Sequence, residues 1–298
     1  MLAEASLRSV RDRMLVLRSM SNLRRVDDDS LRWLAEHSTV RRFEAGAVLT
    51  REEETLTEVY LLSQGRVQSR IGSRTRELAR GQGVGMLLLL AGEDHGEEAV
   101  AVEPVVALAV PAAALVGTYQ DNTAFVRGAL RGIARAVVEA RGGLPSVASE
   151  GHETPIGARQ ERPLTLVERI LLLREGGAFQ AVNTDALIEL ARWQTQIEGE
   201  AGTVLWSIGD PPTHSLRVLY GHIECRAENG ESVVIGSDFV LGAMDSLSDL
   251  PRHYSATALT DFQSLRMDRD PMFAVLESHP RIGVELLSLL ARTLITIG

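Results

Sequence analysis

The chain repeats itself, and a repeat of this length constrains the fold more than any other feature of the sequence. Shifted by 156 residues, positions 13–70 lie on 169–226 without a gap. Leu15 meets Leu171, Leu17 meets Leu173, Val26 meets Val182, Asp29 meets Asp185 and Leu34 meets Leu190. Glu44-Ala45-Gly46 meets Glu200-Ala201-Gly202, and Gly65 meets Gly221. One inserted residue moves the register to 157, which holds from Gly85/Gly242 to Ala134-Arg135/Ala291-Arg292. Solenoid repeats recur every 20–50 residues or so, whereas this period is the length of a whole domain. The sequence therefore predicts two copies of one domain in tandem.

Within each copy the hydrophobic period changes in the same order. Leu7, Val10, Met14 and Leu17 in the first, and Leu171 and Leu172 with the preceding Leu166, Val167 and Ile170 in the second, fall three or four apart and predict a helix. A second short helix is predicted at 29–37 and 185–193. The period then becomes two: Val48, Tyr60, Leu62 and Val67 match Val204, Leu216, Val218 and Ile223 among closely spaced turn residues, as in a β-barrel or sandwich. Closing helices are predicted at 123–140 and 280–296. Between the copies, 142–163 is rich in glycine and proline, lacks periodicity and reads as a flexible surface linker. The expected division is a first domain at 1–141, a linker at 142–163 and a second domain at 164–298. The expected fold class is mainly β with flanking helices.

Composition excludes several functions. The net charge is −9, and the 31 basic residues are all arginine with no basic block, so nucleic acid finds no electrostatic footprint. The one cysteine, Cys225, forms no intramolecular disulfide and fits a reducing cytoplasm. The most apolar stretch, 100–119, is broken by Glu103, Pro104 and Pro111, so no membrane span is expected; neither is a secretory signal in 1–20. The seven histidines form no metal-binding pattern, and Gly81-Gln82-Gly83-Val84-Gly85 lacks the helix and acid of a dinucleotide loop. No catalytic motif is present, and the chain is expected not to be an enzyme.

Finer motifs carry a resemblance. Gly202-Thr-Val-Leu-Trp-Ser-Ile-Gly209-Asp210, followed by Leu216-Arg-Val-Leu-Tyr-Gly221-His-Ile-Glu, is similar to the strand–turn–strand signature of cyclic-nucleotide-binding domains. So is Val59-Tyr60-Leu61-Leu62-Ser63-Gln64-Gly65-Arg66-Val67 in the first copy, although Arg51-Glu52-Glu53-Glu54 replaces its Gly-Asp turn. The chain resembles this family, in tandem, over nearly its whole length. The resemblance implies two β-roll (jelly-roll) domains, each with N-terminal and C-terminal helices.

It also implies a ligand cassette. In the family a glycine precedes a glutamate that holds the ribose, and an arginine about ten residues on binds the cyclic phosphate before two small residues. The equivalents are Gly85, Met86, Glu97, Glu98 and Ala99 in the first copy, and Gly242, Ala243, Tyr254, Ser255, Ala256 and Thr257 in the second. Met86 and Ala243 replace the ribose glutamate; Glu97 and Tyr254 replace the phosphate arginine. Arginine–phosphate contact contributes roughly 1.5–3 kcal/mol, and a carboxylate 4 Å from the phosphate costs up to about 4 kcal/mol instead. The first cassette is therefore expected not to bind nucleotide. Its apolar residues 86–90 are expected to turn inward and fill the space, leaving Glu97 and Glu98 at a solvated rim. In the second copy Arg252 follows Pro251 but lies two residues early. It is expected to be a solvated loop residue, or, if a bulge re-aims it, to meet phosphate with help from Ser255 and Thr257.

Two further features bear on partners. Arg24-Arg25-Val26-Asp27 resembles the basic pair by which regulatory subunits of a cyclic-nucleotide-dependent kinase dock, but its place before a helix favours a helix-flank role. Val126, Leu130, Ile133 and Val137 form a stripe on helix 123–140 that packs on its own domain or pairs with a second copy of the chain. The sequence stops two residues past the closing helix, so no DNA-reading helix is expected. The reading that follows is a cytoplasmic, non-enzymatic protein-interaction adaptor or scaffold without a cofactor, its protein partner unidentified. The alternative is a sensor that holds a cyclic nucleotide or other small anion in the second domain.

Overall fold

The two copies begin with the same local chemistry. The computed structural model describes residues 7, 9–20, 23, 26–141, 144–145, 155–175, 179 and 182–297. Helix α1 (Val10–Ser19) opens with a capping box, in which the Ser9 hydroxyl accepts the Asp12 N–H and the Asp12 carboxylate accepts the Ser9 N–H. At 156 residues' distance Thr165 and Glu168 repeat both bonds. Helix α2 (Asp28–Glu36) is capped by Asp27, which accepts the Ser30 N–H at 2.8 Å. In the second copy Asn183 accepts the Ala186 N–H at 2.9 Å. Arg13 donates to the Ser38 carbonyl at 2.7 Å, and Arg169 donates to the Gln194 carbonyl at 2.5 Å, again at an offset of 156.

After these helices the first copy runs β1 (Thr39–Phe43), β2 (Val48–Thr50), β3 (Glu58–Gln64), β4 (Val67–Ile71), β5 (Arg74–Leu78) and β6 (Gly83–Val84). It continues through α3 (Met86–Ala91), β7 (Glu97–Ala101), β8 (Val105–Pro111), α4 (Ala112–Asp121) and α5 (Thr123–Ala140). The second copy opens with α6 (Leu166–Glu175), α7 (Thr184–Trp193), β9 (Gln194–Gly199), β10 (Val204–Trp206), β11 (His214–Tyr220), β12 (Ile223–Ala227) and β13 (Ser232–Ile235). It closes with β14 (Val240–Leu241), α8 (Ala243–Ser248), β15 (Tyr254–Ala258), β16 (Phe262–Asp268), α9 (Arg269–Ser278) and α10 (Pro280–Ile297). Helices α4 and α9 are absent from the sequence expectation; Ala112-Ala113-Ala114-Leu115 continues the apolar run of β8 without a change of polarity.

Each copy folds into two four-stranded antiparallel sheets of identical order. The first has β1-β8-β3-β6 and β2-β7-β4-β5; the second has β9-β16-β11-β14 and β10-β15-β12-β13. Even the irregularities repeat. The register slips between Val48 and Thr50 and between Leu62 and Gln64, then between Val204 and Trp206 and between Val218 and Tyr220. Between the sheets lie Leu62, Val67, Leu78, Val84 and Val105 in one copy, matched by Val218, Ile223, Ile235, Leu241 and Phe262 in the other.

Gly65 and Gly221 both have positive φ, +87° and +94°, and a Cβ at either would overlap a backbone carbonyl, of Pro104 and of Asp261 respectively. The mainly β fold with flanking helices expected from the sequence, and the β-roll pair implied by the resemblance, are what the structure shows. Among the described residues no helix is long and apolar enough to cross a membrane.

By compactness the chain divides, apart from its last two residues, into a unit of 1–132 with 287–296 and a unit of 133–286. The stripe on α5 is buried inside the chain, with Val126, Leu130, Ile133 and Val137 at 7% exposure or less, so it offers no free face to a second copy. Arg24 and Arg25 lie outside the described residues, as do 142–143 and 146–154 of the linker. The linker's last part departs from the irregular chain expected. Gly221 N–H donates to Ile156 O at 2.8 Å, Ser237 N–H donates to Pro155 O at 2.7 Å, and Gln160 exchanges two bonds with the Gln263 side chain. Residues 155–160 are thus tied along the second barrel.

Candidate functional site

In both copies the cassette glycine follows a two-residue strand and precedes a one-and-a-half-turn helix. Gly85 and Gly242 take φ of +82° and +71°, conformations that suit glycine. In the second unit a Cβ at Gly242 would overlap the Arg252 guanidinium, so the glycine also makes room for that side chain.

The first cassette is closed by its own acid. Glu97, expected at a solvated rim, is 2% exposed. Its carboxylate accepts the Gly85 backbone N–H at 2.6 Å, accepts the Ser69 hydroxyl, and has Arg76 at 3.6 Å. The burial has a plain physical cause: two hydrogen-bond donors and a nearby guanidinium compensate the carboxylate, whereas the rim placement assumed it would be unpaired. Ser69 and Arg76 face each other across β4 and β5, which aims both at the first residue of β7. Glu98, the next residue, does lie at the rim and pairs with Arg70 at 2.6 Å. Ala99 is fully buried opposite Ser69.

Of the apolar residues 86–90 expected to turn inward, Leu87 and Leu88 are buried, whereas Met86, Leu89 and Leu90 are half-buried; Ala91, the last residue of α3, is buried as well. Met86, where the family resemblance puts the ribose glutamate, accepts the Tyr119 hydroxyl on its sulfur at 3.5 Å. Within the first unit the end of α3 is capped: Arg292 Nε and Ser288 Oγ both donate to Ala91 O, at 2.9 and 3.2 Å.

The second cassette uses a different buried set at the same places. Tyr254, 157 residues after Glu97, is 4% exposed, and its hydroxyl accepts the Gly242 N–H at 3.0 Å. Around it the polar partners have changed together. Cys225 stands where Ser69 does, and Val233, facing Cys225 across β12 and β13, stands where Arg76 does. Burial pushes the Cys225 thiol up to about 12, so it sits there as a small apolar group. Burial likewise holds the Tyr254 phenol well above its ordinary value.

Arg252, expected as a solvated loop residue or as one re-aimed at phosphate, is not solvated. It is 1% exposed and consumed internally. Nη1 donates to Gly242 O at 3.1 Å and to the Asp245 carboxylate at 3.3 Å, and Nη2 donates to His214 O. The guanidinium also lies over the Trp206 ring, 4.1 Å from its centroid. Asp245, itself buried on α8, takes His253 on its other oxygen at 3.0 Å. Burying a guanidinium is tolerable only with such a complement, and Asp245, seven residues upstream, supplies it.

Of the remaining cassette positions, Ala256 is buried opposite Cys225, Thr257 pairs with Val204, and Ser255 Oγ donates to Arg226 O at 3.3 Å. Ala243 opens α8 and lines a pocket of about 110 Å³ in the second unit. Ser69, Arg76, Asp245 and Trp206 are the site residues that sequence reasoning missed. The seven-residue spacing of Asp245 and Arg252 across α8 is the one signal that was available.

The cyclic nucleotide-binding domain family matches residues 40–122 and 197–279, together more than half of the chain. Among characterised proteins, the CRP-like cAMP-activated global transcriptional regulator of Mycobacterium tuberculosis is 27% identical over 128 residues, 41% of this chain and 57% of that protein. The chain thus spans little more than half the length of that relative. Among solved structures, the regulatory domain of Toxoplasma gondii PKA with cAMP is similar over 97% of this chain and 98% of its own, at 12% identity and a TM-score of 0.36. The N-terminal domain of a transcriptional regulator from Streptomyces coelicolor is 25% identical over 41% of this chain and 91% of its own, with a TM-score of 0.37. The two matched segments hold the two β-rolls with their cassettes, and the chain belongs to the cyclic nucleotide-binding domain family.

Proposed function

We propose that this chain is a non-enzymatic regulatory adaptor whose two domains work through protein contacts and do not take cyclic AMP or cyclic GMP in the family's manner. The observation that carries this reading is the bond from Gly85 N–H to the buried Glu97 carboxylate, with the equivalent N–H of Gly242 held by Tyr254. A cyclic phosphate would have to displace an anion already bonded to that backbone in the first domain. In the second, Arg252 is spent on Asp245, Gly242 and His214.

The duplicated unit in this reading is 1–141 and 164–298, joined by 142–163, with the cassette equivalents retained as structural elements. The relative from Mycobacterium tuberculosis is named as a cAMP-activated transcriptional regulator. The net charge of −9 speaks against carrying its nucleic-acid partner over to this chain, and a buried free cysteine favours a cytoplasmic setting.

Affinity capture of the tagged full chain from its own cells tests the adaptor role. A discrete protein partner is expected to be retained equally with and without added cyclic AMP. A partner released or recruited by cyclic AMP contradicts the reading.

A further inference from the structure

A pocket beside the second cassette is lined by two donors that have no acceptor among the described residues. The Tyr254 hydroxyl accepts the Gly242 N–H, but its own hydrogen has no acceptor among the described residues, although the side chain is 96% buried. Arg141, just past the end of α5, has no hydrogen-bond or ion-pair partner for its side chain among the described residues, and its Nε is buried and unsatisfied. Burial alone lowers its pKa, with no carboxylate to offset the cost. Both residues line the same pocket of about 110 Å³, which lies within the second unit. Asp245 lines it as well, but its two oxygens are taken by Arg252 and His253.

The rest of the lining is apolar: Val137, Val138, Leu144, Phe239, Val240 and Met244 among others. The volume then selects the ligand. Pockets for drug-sized molecules run to about 300–1,000 Å³, and a cavity of about 150 Å³ holds benzene. A base, a sugar and a cyclic phosphate do not fit here; a single ring or a short branched chain does. An inorganic phosphate would leave oxygens facing valine, leucine and phenylalanine without donors. A carboxylate with a small apolar body matches both ends of the pocket.

We propose that the second compact unit, 133–286, binds a small apolar carboxylic acid beside the second cassette, its carboxylate held by Arg141 and the Tyr254 hydroxyl and its hydrocarbon part held against Val137 and Val138 of α5 and Phe239. This goes beyond the adaptor reading and does not depend on it. Calorimetric titration of the full chain with benzoate and with isovalerate tests it, using benzamide and inorganic phosphate as comparisons.

One of the two acids is expected to bind at one per chain, at least tenfold more tightly than benzamide and phosphate. Arg141→Gln and Tyr254→Phe are each expected to weaken it tenfold or more, as loss of a charge-assisted bond does. Ala243→Leu, which fills the pocket and leaves both donors in place, should abolish binding with the fold retained by circular dichroism. The proposal is overturned if neither acid binds up to about 10 mM, a very weak interaction by any measure. It is equally overturned if phosphate binds as well as the acids, or if Ala243→Leu folds and binds them unchanged.

Discussion

The carboxylate of Glu97 accepts the backbone N–H of Gly85 at 2.6 Å, joining the first residue of β7 to the turn that opens α3. In the second domain Tyr254 and Gly242 make the same connection at 3.0 Å through a phenol. Two side chains of unlike charge thus do one structural job at equivalent positions, and each brings its own neighbours. Ser69 and Arg76 accompany the acid; Cys225 and Val233 accompany the phenol. In both cassettes the glycine N–H is satisfied by a side chain of the same barrel.

Removing the acid should therefore cost stability. Glu97→Ala leaves the Gly85 N–H and the Ser69 hydroxyl without their acceptor and is expected to destabilise the first domain by about 2–3 kcal/mol. Glu97→Gln keeps one acceptor oxygen and is expected to cost about 1 kcal/mol. Urea denaturation of the three proteins measures this; equal stability of wild type and Glu97→Ala would mean the carboxylate is solvated after all.

A buried ion pair responds differently when one partner alone is removed. Asp245→Ala strands the Arg252 guanidinium beneath Trp206 and is expected to cost about 3–5 kcal/mol, as broken buried pairs do. A solvated Arg252 would make the same change worth less than about 0.5 kcal/mol. Denaturation midpoints of the second domain separate the two.

Glycines at equivalent positive φ should not be equally sensitive. Gly202 has φ of +86° with nothing near a Cβ, so Gly202→Ala meets only the backbone strain, about 1–2 kcal/mol. Gly221→Ala adds an overlap with the Asp261 carbonyl and is expected to cost more than 3 kcal/mol, because backbone rather than a side-chain tip must yield. Thermal unfolding of both variants checks the order.

Much of this was legible from the repeat. Matching Gly46 to Gly202 and Gly65 to Gly221 was enough to predict two barrels of one topology, and the helices at 29–37 and 185–193 fall within a residue or two of α2 and α7. The burial of Glu97 was not legible. A lone glutamate at a strand start is exposed in most proteins, and its partners Ser69 and Arg76 lie far back in the chain, brought to it only by sheet pairing. Arg252 was misplaced for a related reason: a Pro-Arg pair in a loop carries no sign of burial until Asp245 on α8 is seen beneath it.

Acid sensitivity should carry a signature of His214. Burial, followed by the Arg266 and Arg252 charges, pushes its pKa down to about 4 from 6.5. The neutral ring is therefore the folded form. Its contribution is fully present above about pH 6.5 and is lost as pH falls toward 4, where the unfolded chain binds the extra proton. With the ring partly exposed, the effect is discounted to about 1 kcal/mol. His214→Gln is expected to flatten the stability profile by that amount between pH 6.5 and 4; an unchanged slope contradicts it.

The most direct test of the central claim is a calorimetric titration of the full chain, unfolded and refolded to remove any bound ligand, with cyclic AMP and cyclic GMP. Both cassettes hold their own glycine N–H groups through Glu97 and Tyr254, and the account predicts no binding heat in the micromolar range for either nucleotide. A micromolar isotherm that disappears in Arg252→Ala, with the variant still folded, would contradict it and make the second domain a nucleotide sensor.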